Sequence, residues 1–564
     1  MRKIITAIIV VTLSLLTVLG MTACNGSSSH KVGLTKPGKI IEASLGGFVA
    51  ETENYVYFIN GVGESTAKND FGTPLKGALM VADKATLGGE VKTEVVVPKL
   101  FVASDYKAGV YLFGEGDNAA VYYATPSVEK DSNGKVANTH LTFMKTTLNG
   151  KKTESFVTVE GIGTNYRMAE KDGVVYIVFY DSANSELKTY NTSKKELTTI
   201  AKIDNETREG VQLEGSQDKV FLTLDSYRFL EVGCDAMVVF TMKAYAEDYY
   251  EEKANANDSY QRAEAKFNVM YSYSVGDGKD SNGVVGKMIA NGAKENIKYA
   301  FTLVEDGYLF FTETSISNKV KNYASSLKDL TKKTLIEKVD NVKELIVIND
   351  KEGGAPLDEY FYKFTPEGTD VEDVIYKSTL VGDAIKVRER VLANAKVSSL
   401  LYIDGDYMYY YTTGNKLARC NYKVADAQEE LISQDVVAST WFNPEIVEAN
   451  GKKYMLYADS SVEGSSYIKY VELTKGAVEK EDDDGNEYMT FEGQALIGVM
   501  TEADKANPVK QKINNLSATD FEYTVVDGTV EFEGVKQARE AYEALSKESK
   551  KEISEDLITK LENA

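Results

Sequence analysis

From about residue 39 to about residue 499, apolar positions come in short bursts rich in aromatic and β-branched side chains, and polar turn pairs such as Asp-Gly and Asn-Gly separate them. This is the pattern of short strands joined by tight turns. The clearest case is Asp404-Gly405-Asp406-Tyr407-Met408-Tyr409-Tyr410-Tyr411-Thr412-Thr413-Gly414-Asn415-Lys416-Leu417. Variants return at Glu53–Ile59, Lys171–Tyr180, Glu305–Phe311 and Asn450–Tyr457. The reading is that each copy marks one edge of a blade in a repeated β structure. Further strands are expected at Val95–Val97, Val110–Phe113, Ala120–Ala124, Leu141–Thr146, Val220–Leu224, Ala236–Thr241, Val269–Tyr273, Tyr360–Phe364, Val374–Ser378 and Tyr467–Val471. Related strands recur at roughly 45 to 60 residues, near the length of a four-stranded propeller blade. The pattern predicts an all-β fold, a β-propeller of about seven or eight blades. A row of β-sandwich domains is the alternative, and the lack of a clean linker through this span speaks against it.

Two stretches break the strand pattern. Lys243–Lys266 is charged and alanine-rich, and Ser315–Lys333 is lysine-rich, so each is expected to form a helical or mobile excursion. Both a binding role and a merely solvated insertion stay open for them. After Asp504–Pro508 the pattern changes again. Phe521–Val526 and Thr529–Phe532 flank Asp527-Gly528 as a hairpin would. Val535, Ala538, Tyr542 and Leu545 then share one helical face, and Ser554 opens a last short helix carrying Leu557, Ile558 and Leu561. Four segments are expected: a leader over 1–23, a tether over 24–38, the propeller-like repeat over 39–503 and a hairpin-plus-helix module over 504–564.

Composition narrows the functions. The 86 acidic residues against 64 Lys and Arg give a formal charge of −22. A phosphate-binding face is basic, so nucleic acid is not an expected partner. His30 and His140 are the two histidines of the chain. A multi-histidine zinc site is thereby excluded, and any Ser-His-Asp or Cys-His chemistry would rest on His140. The three cysteines, Cys24, Cys234 and Cys420, are too scattered for a disulfide framework, and the last two read as buried free thiols.

The N-terminus carries the most specific signal. Met1-Arg2-Lys3 precedes an uncharged run from Ile4 to Ala23, and Leu19-Gly20-Met21-Thr22-Ala23-Cys24 leads into Asn25-Gly26-Ser27-Ser28-Ser29. This resembles a bacterial lipoprotein signal peptide, with Met21 in place of the usual leucine. The resemblance implies cleavage before Cys24 and acylation of its thiol with a diacylglycerol, which would anchor the body outside the cytoplasmic membrane. An uncleaved transmembrane helix is the alternative. Loss of Arg2 and Lys3 with the leader takes the charge from −22 to −24. Together with this leader, the Tyr-rich Asp-Gly-aromatic repeat resembles the uncharacterised propeller-containing lipoproteins of Gram-positive bacteria. The C-terminal Ala538-Arg539-Glu540-Ala541-Tyr542-Glu543-Ala544-Leu545 resembles the small helical units of Gram-positive surface proteins.

Candidate chemistry is sparse. Glu129–Lys135, Asp277–Gly283 and Asp482–Glu487 each mix acids, amides and glycine as calcium loops do, but His140 stands where the first would need glutamate and the others are out of register. They read as hairpin turns, leaving weak calcium binding open and no other cofactor expected. The 36 tyrosines suit half-buried strands. Trp441, in the turn-rich Thr440–Glu445, is the candidate ligand contact, against a reading as a core plug between blades. A carboxylate-pair glycosidase needs two acids at set separation, and no pair stands out among the 86. No GxSxG, Walker or HExxH motif occurs. The reading is a non-enzymatic, membrane-anchored binding or scaffold protein for an extracytoplasmic protein or glycan, with a carboxylate-dependent glycan-active enzyme as the alternative.

Overall fold

Turn chemistry starts the fold. Asp172 and Gly173 both take positive φ (52° and 73°) between the paired Lys171 and Val174, and Asn450 and Gly451 do the same (53° and 71°) between Ala449 and Lys452. These two-residue turns match the twist of the strands they join. The structure, a computed structural model, describes residues 38–42, 47–61, 77–97, 100, 109–132, 135–161, 165–203, 210–230, 234–246, 265–305, 307–336, 342–349, 359–364, 374–381, 384–391, 397–424, 427–437, 442–459, 468–482, 485–496, 506, 509–510, 512–514, 516, 523–526 and 529–564, with the backbone alone over 342–391 and 523–531.

Among the described residues the hairpins build eight successive antiparallel sheets, the blades of a β-propeller. Blade 1 begins with an extra strand, Ile40–Glu42, before Val49–Thr52, Tyr55–Ile59, Leu79–Asp83 and Thr93–Val97. Blades 2 to 6 are four-stranded and run from Val110–Phe113 to Thr153–Glu160, Tyr166–Lys171 to Glu196–Lys202, Phe221–Phe229 to Lys287–Asn291, Lys298–Glu305 to Thr334–Ile336, and Val342–Asn349 to Ala384–Val391. Blade 7 starts with Val397–Asp404, Tyr407–Thr412, Leu417–Asn421 and Glu430–Ser433, and blade 8 comprises Glu445–Ala449, Lys452–Ala458, Ile468–Glu472 and Gln494–Ala495. First strands touch between blades 1 and 2, 4 and 5, 5 and 6, and 6 and 7, which places them along the inner wall.

The recurring aromatic stretch is not a blade edge, as its sequence suggested, but the first turn and second strand of a blade. Tyr407–Thr412 lies between Val397–Asp404 and Leu417–Asn421, and Met408 to Thr412 are all buried. A second strand has sheet neighbours on both sides and blades on both faces. Alternation therefore disappears and a continuous apolar run takes its place. The Ser315–Lys333 expectation is also corrected: Val320–Ser326 is the third strand of blade 5, paired in unbroken register with Tyr308–Thr314. Its lysines are accommodated at turns and edges, as where Lys333 Nζ lies 4.4 Å from the centre of the Tyr323 ring. Most of Lys243–Lys266 lies outside the described residues, although Ala236–Tyr245 extends into its start.

Polar bonds tie neighbouring blades. Gly114 N–H donates to Glu170 Oε2 (2.9 Å) from blade 2 to blade 3, and Lys171 Nζ to the Val275 carbonyl (2.9 Å) from blade 3 to blade 4. The Asn268 amide exchanges two bonds with the Tyr299 backbone between blades 4 and 5. The ring closes through side chains between the first and last blades. Phe48 stacks on Phe442 at 5.2 Å, Tyr454 OH donates to the Leu87 carbonyl, and Asn450 Nδ2 donates to the Ala85 carbonyl. One apolar cluster runs continuously through blades 8, 1 and 2.

A strap crosses from blade 8 to blade 7. After the third strand of blade 8 the chain makes a hairpin, Val478–Glu481 and Glu487–Thr490, whose second arm pairs parallel with Glu430–Ser433 on the outer edge of blade 7. Only then does the chain return to finish blade 8 at Gln494–Ala495. Arg419, 4 % exposed, fastens the strap. Its guanidinium lies 3.9 Å from the Tyr407 ring centre and 4.7 Å from that of Phe491, and its Nε is 2.6 Å from Glu430 Oε2. At the C-terminus Tyr523–Val526 and Thr529–Phe532 pair as the expected hairpin. Helices Glu533–Glu543, Lys547–Lys551 and Glu555–Asn563 follow, burying Val535, Ala538, Leu545, Ile553 and Leu561.

Two predictions follow from this packing. Burial pushes the Tyr111 and Tyr122 phenols up to about 12. Their folded values lie above the unfolded value near 10, so the stability they contribute is full below pH ~10 and is lost as pH rises toward ~12. Phenolate absorbance and far-ultraviolet circular dichroism should therefore change together in that window. Smooth phenolate titration about the ordinary tyrosine value, with unchanged dichroism, would contradict it. Second, Arg419→Ala should cost about 2 kcal/mol, less than a fully buried pair because Glu430 keeps some water contact. Arg419→Lys should recover less than half, lacking the planar stack. Denaturant midpoints test both, and a change below about 0.5 kcal/mol for the alanine variant would mean the strap is held elsewhere.

Candidate functional site

The residues singled out by sequence do not converge. Cys24 and His30 lie outside the described residues, as does Trp441, which falls in the connection between Glu430–Ser433 and Glu445–Ala449. His140 sits on the second long strand of blade 2, opposite Ser127, with Nε2 3.5 Å from Glu129 Oε2. Hydrogen bonds from Asn138 and then from His140 hold the Glu129 carboxyl below its usual range. Cys420 is a buried free thiol on the third strand of blade 7, and burial with Glu429 and Glu430 pushes it up to about 11, which makes it unreactive. Cys234 forms no disulfide and is only half-buried. It precedes the strand Ala236–Tyr245, outside the apolar run that was expected to bury it.

In the three acidic loops, described carboxylates accept from backbone N–H groups of their own loop. Asp131 Oδ1 accepts from Lys135 N–H (2.9 Å), and Asp482 Oδ1 accepts from Asn486 N–H (2.8 Å). Asp280 Oδ1 accepts from the N–H groups of Asn282 and Val284, and its Oδ2 accepts from Tyr271 OH. These are the Asx-type bonds that shape tight turns.

The site the fold builds lies instead at the ring's seam. A cleft of about 350 Å³ opens between blade 8, the root of the strap and the first blade, lined by Gly88, Lys452, Tyr470, Glu472, Lys475, Gly476, Val478, Phe491, Glu492 and Gln494. Its position follows from connectivity. Lys452 opens the second strand of blade 8 and Glu472 closes the third, so both stand at the same end of the blade. The chain then departs into the strap and returns through Phe491 and Glu492, forming the outer wall. Gly88, at a φ of 84°, brings the blade 1 backbone to the inner wall, where its N–H donates to Tyr470 OH at 3.3 Å. The phenol in turn donates to Gln494 Oε1 at 2.8 Å. A side chain at Gly88 would collide with Tyr454 OH, because an added Cβ would lie 2.8 Å from it.

Electrostatically the cleft is balanced, with Lys452 and Lys475 against Glu472 and Glu492. Lys452 Nζ lies 3.0 Å from Glu472 Oε1, and this hydrogen bond holds the ammonium above its usual value, so it is a fixed cation and not a base. The lining supplies ammonium donors, carboxylate acceptors and an amide around a rim that includes the 40 % exposed Val478. Such a mixture suits a small ligand bearing many hydroxyls. A second, shallower hollow of about 350 Å³ lies beside the His140 hairpin, lined by Asn138, Thr139, Glu160 and Ser182 among others. None of the seam residues stood out in the sequence. The available signal was indirect: Gly476 and Gly493 break the blade 8 pattern on either side of an unusually acidic insert.

No known protein family and no curated protein matches this chain in sequence. Solved structures similar to it include apo AztD from Citrobacter koseri (10% identity over 78% of this chain and 98% of that one, TM-score 0.34). Others are the β-propeller domain of the Trilobed protease from Pyrococcus furiosus (10%, 69% and 96%, TM-score 0.30) and the dihydro-heme d1 dehydrogenase NirN in complex with DHE (12%, 84% and 80%, TM-score 0.35). With TM-scores below 0.5, these likenesses transfer no residue and no activity to this chain.

Proposed function

We propose that this protein is a lipid-anchored extracytoplasmic binding protein that uses its propeller as a rigid, non-enzymatic receptor, with the seam cleft as the site for a small saccharide. The observation that carries the reading is the cleft itself. Its walls come from two blades and a strap, and Lys452, one of its two lysines, is paired in place with Glu472. A preformed site of this kind lowers the ordering cost of binding. The anchor rests on Cys24 at the end of the uncharged run and on the polar Ser-rich stretch after it. Among the described residues no helix is long and apolar enough to cross a membrane. The second reading, a carboxylate-dependent glycan-active enzyme, is favoured by the presence of two glutamates, Glu472 and Glu492, in one cleft.

The anchor predicts that Cys24→Ala moves the protein from the membrane pellet to the soluble fraction and leaves an unacylated precursor by mass. Unchanged sedimentation would sink the anchor. The cleft predicts that one member of a panel of neutral mono- and disaccharides stabilises the wild type, by about 2.7 kcal/mol at a hundred times its dissociation constant. Gln494→Ala and Glu492→Ala should abolish that shift. If the saccharide is instead cleaved, and Glu472→Gln and Glu492→Gln each stop the cleavage, the enzymatic reading replaces the binding one.

A further inference from the structure

The extra strand Ile40–Glu42 fixes where the chain enters the propeller. It pairs with Val49–Thr52 on the side away from Tyr55–Ile59 and touches Val110–Phe113, so it stands on the channel side of blade 1. Its register is antiparallel, Ile40 opposite Thr52 and Glu42 opposite Glu51, so the chain comes in beside the Glu53-Asn54 turn and runs inward. Two bonds hold the entry point: Glu53 N–H donates to the Lys39 carbonyl (2.8 Å) and Lys39 N–H donates to Glu53 Oε2 (3.1 Å). Gly38 packs so closely there that an added Cβ would lie 2.6 Å from Glu53 Oε2. Of the propeller's two faces, the entry face is the one bearing the turns between first and second strands. In blades 1, 3, 5, 7 and 8 these turns are two residues long.

We infer that the entry face lies against the lipid surface and the opposite face points outward. The inference rests on the reading that Cys24 carries the lipid. Residues 25–38 then form the whole tether, 14 residues that reach at most about 50 Å. Turning the propeller over would require that chain to cross about 15 Å of blade width and then about 25 Å of blade height. It would have to do so nearly fully extended, and still clear the side chains. Charge does not set the orientation. Exposed lysines at turns on the entry face, Lys151, Lys152, Lys194 and Lys195, are offset by acids such as Asp172 and Asp406. The tether therefore acts as a short leash, and the orientation persists in high salt. The seam cleft, set at the Lys452 end of blade 8, opens on the entry face. A saccharide fits the gap beneath the propeller, whereas a folded protein partner meets the opposite face.

The test uses the full acylated chain in membrane vesicles, with Cys234→Ser to remove the accessible native thiol. A fluorophore is attached through Asp172→Cys, on the entry face, or through Ser182→Cys, at the other end of the same blade. An energy acceptor is placed in the lipid headgroups. Transfer should be several-fold greater from position 172 than from 182, and the ratio should hold in high salt. Equal or reversed transfer from a protein that still sediments with the vesicles overturns the orientation alone. A ratio that collapses in salt shows orientation by charge and overturns the leash. A chain that does not sediment overturns the anchor, and the orientation with it.

Discussion

Each blade is stable because the next one covers it. A four-stranded sheet with two apolar faces cannot stand alone in water, and second strands such as Tyr55–Ile59 and Tyr407–Thr412 are buried on both faces. Tyr57, Tyr111, Tyr271, Tyr409, Tyr410 and Tyr457 are among its largest fully buried side chains. Tyrosine rings fill the wedge between diverging blades, and some of their hydroxyls reach a polar atom while those of Tyr57 and Tyr111 do not. Tyr273 OH bonds Thr189 Oγ1 across blades 3 and 4, and Tyr410 OH bonds Glu429 Oε2. Charge is admitted between blades where it is paired. Lys188 lies between Asp181 and Glu186, and Lys469 pairs with Asp459, which also accepts from Ser433 across blades 7 and 8.

The ring is closed by side chains at the seam and by exchange of a hairpin one blade earlier. The two devices meet at the same place. Phe48 on Phe442 and the bonds from Asn450 and Tyr454 fix blade 8 to blade 1. The strap, leaving blade 8 just above that junction, must part from the sheet to reach blade 7. The seam cleft is the space left by that departure, so the element that braces the ring also shapes a polar recess beside it. Glycine makes the arrangement possible at Gly493, where a Cβ would lie 2.3 Å from Tyr457 OH.

How much of this was legible in the sequence depended on whether the signal was local. The second strands were plain, because burial on both faces writes an unbroken aromatic run such as Tyr407–Thr412. The Asp-Gly and Asn-Gly turns were plain for the same local reason, as were the C-terminal hairpin and the helix over Glu533–Glu543. Val320–Ser326 was misread because its lysines mask a strand specified by pairing with Tyr308–Thr314. The strap was invisible. All four residues of Val478–Glu481 are exposed, and Glu487–Thr490 owes its place to Glu430–Ser433, more than fifty residues back. The cleft inherits that difficulty, since its lysines and glutamates look like ordinary surface until the strap brings them together.

The strap also imposes an order on the protein's making. A chain that emerges from its N-terminus presents Glu430–Ser433 well before Glu487–Thr490 exists. Blade 7 therefore waits with an open outer edge while blade 8 is being completed, and unpaired edges of this kind invite mispairing. The acidic insert that later forms the strap, Glu479 to Glu487, arrives as a strongly charged segment that resists collapse onto other strands. Its charge, unhelpful to stability in the finished ring, keeps the last piece available until the edge it belongs to has formed.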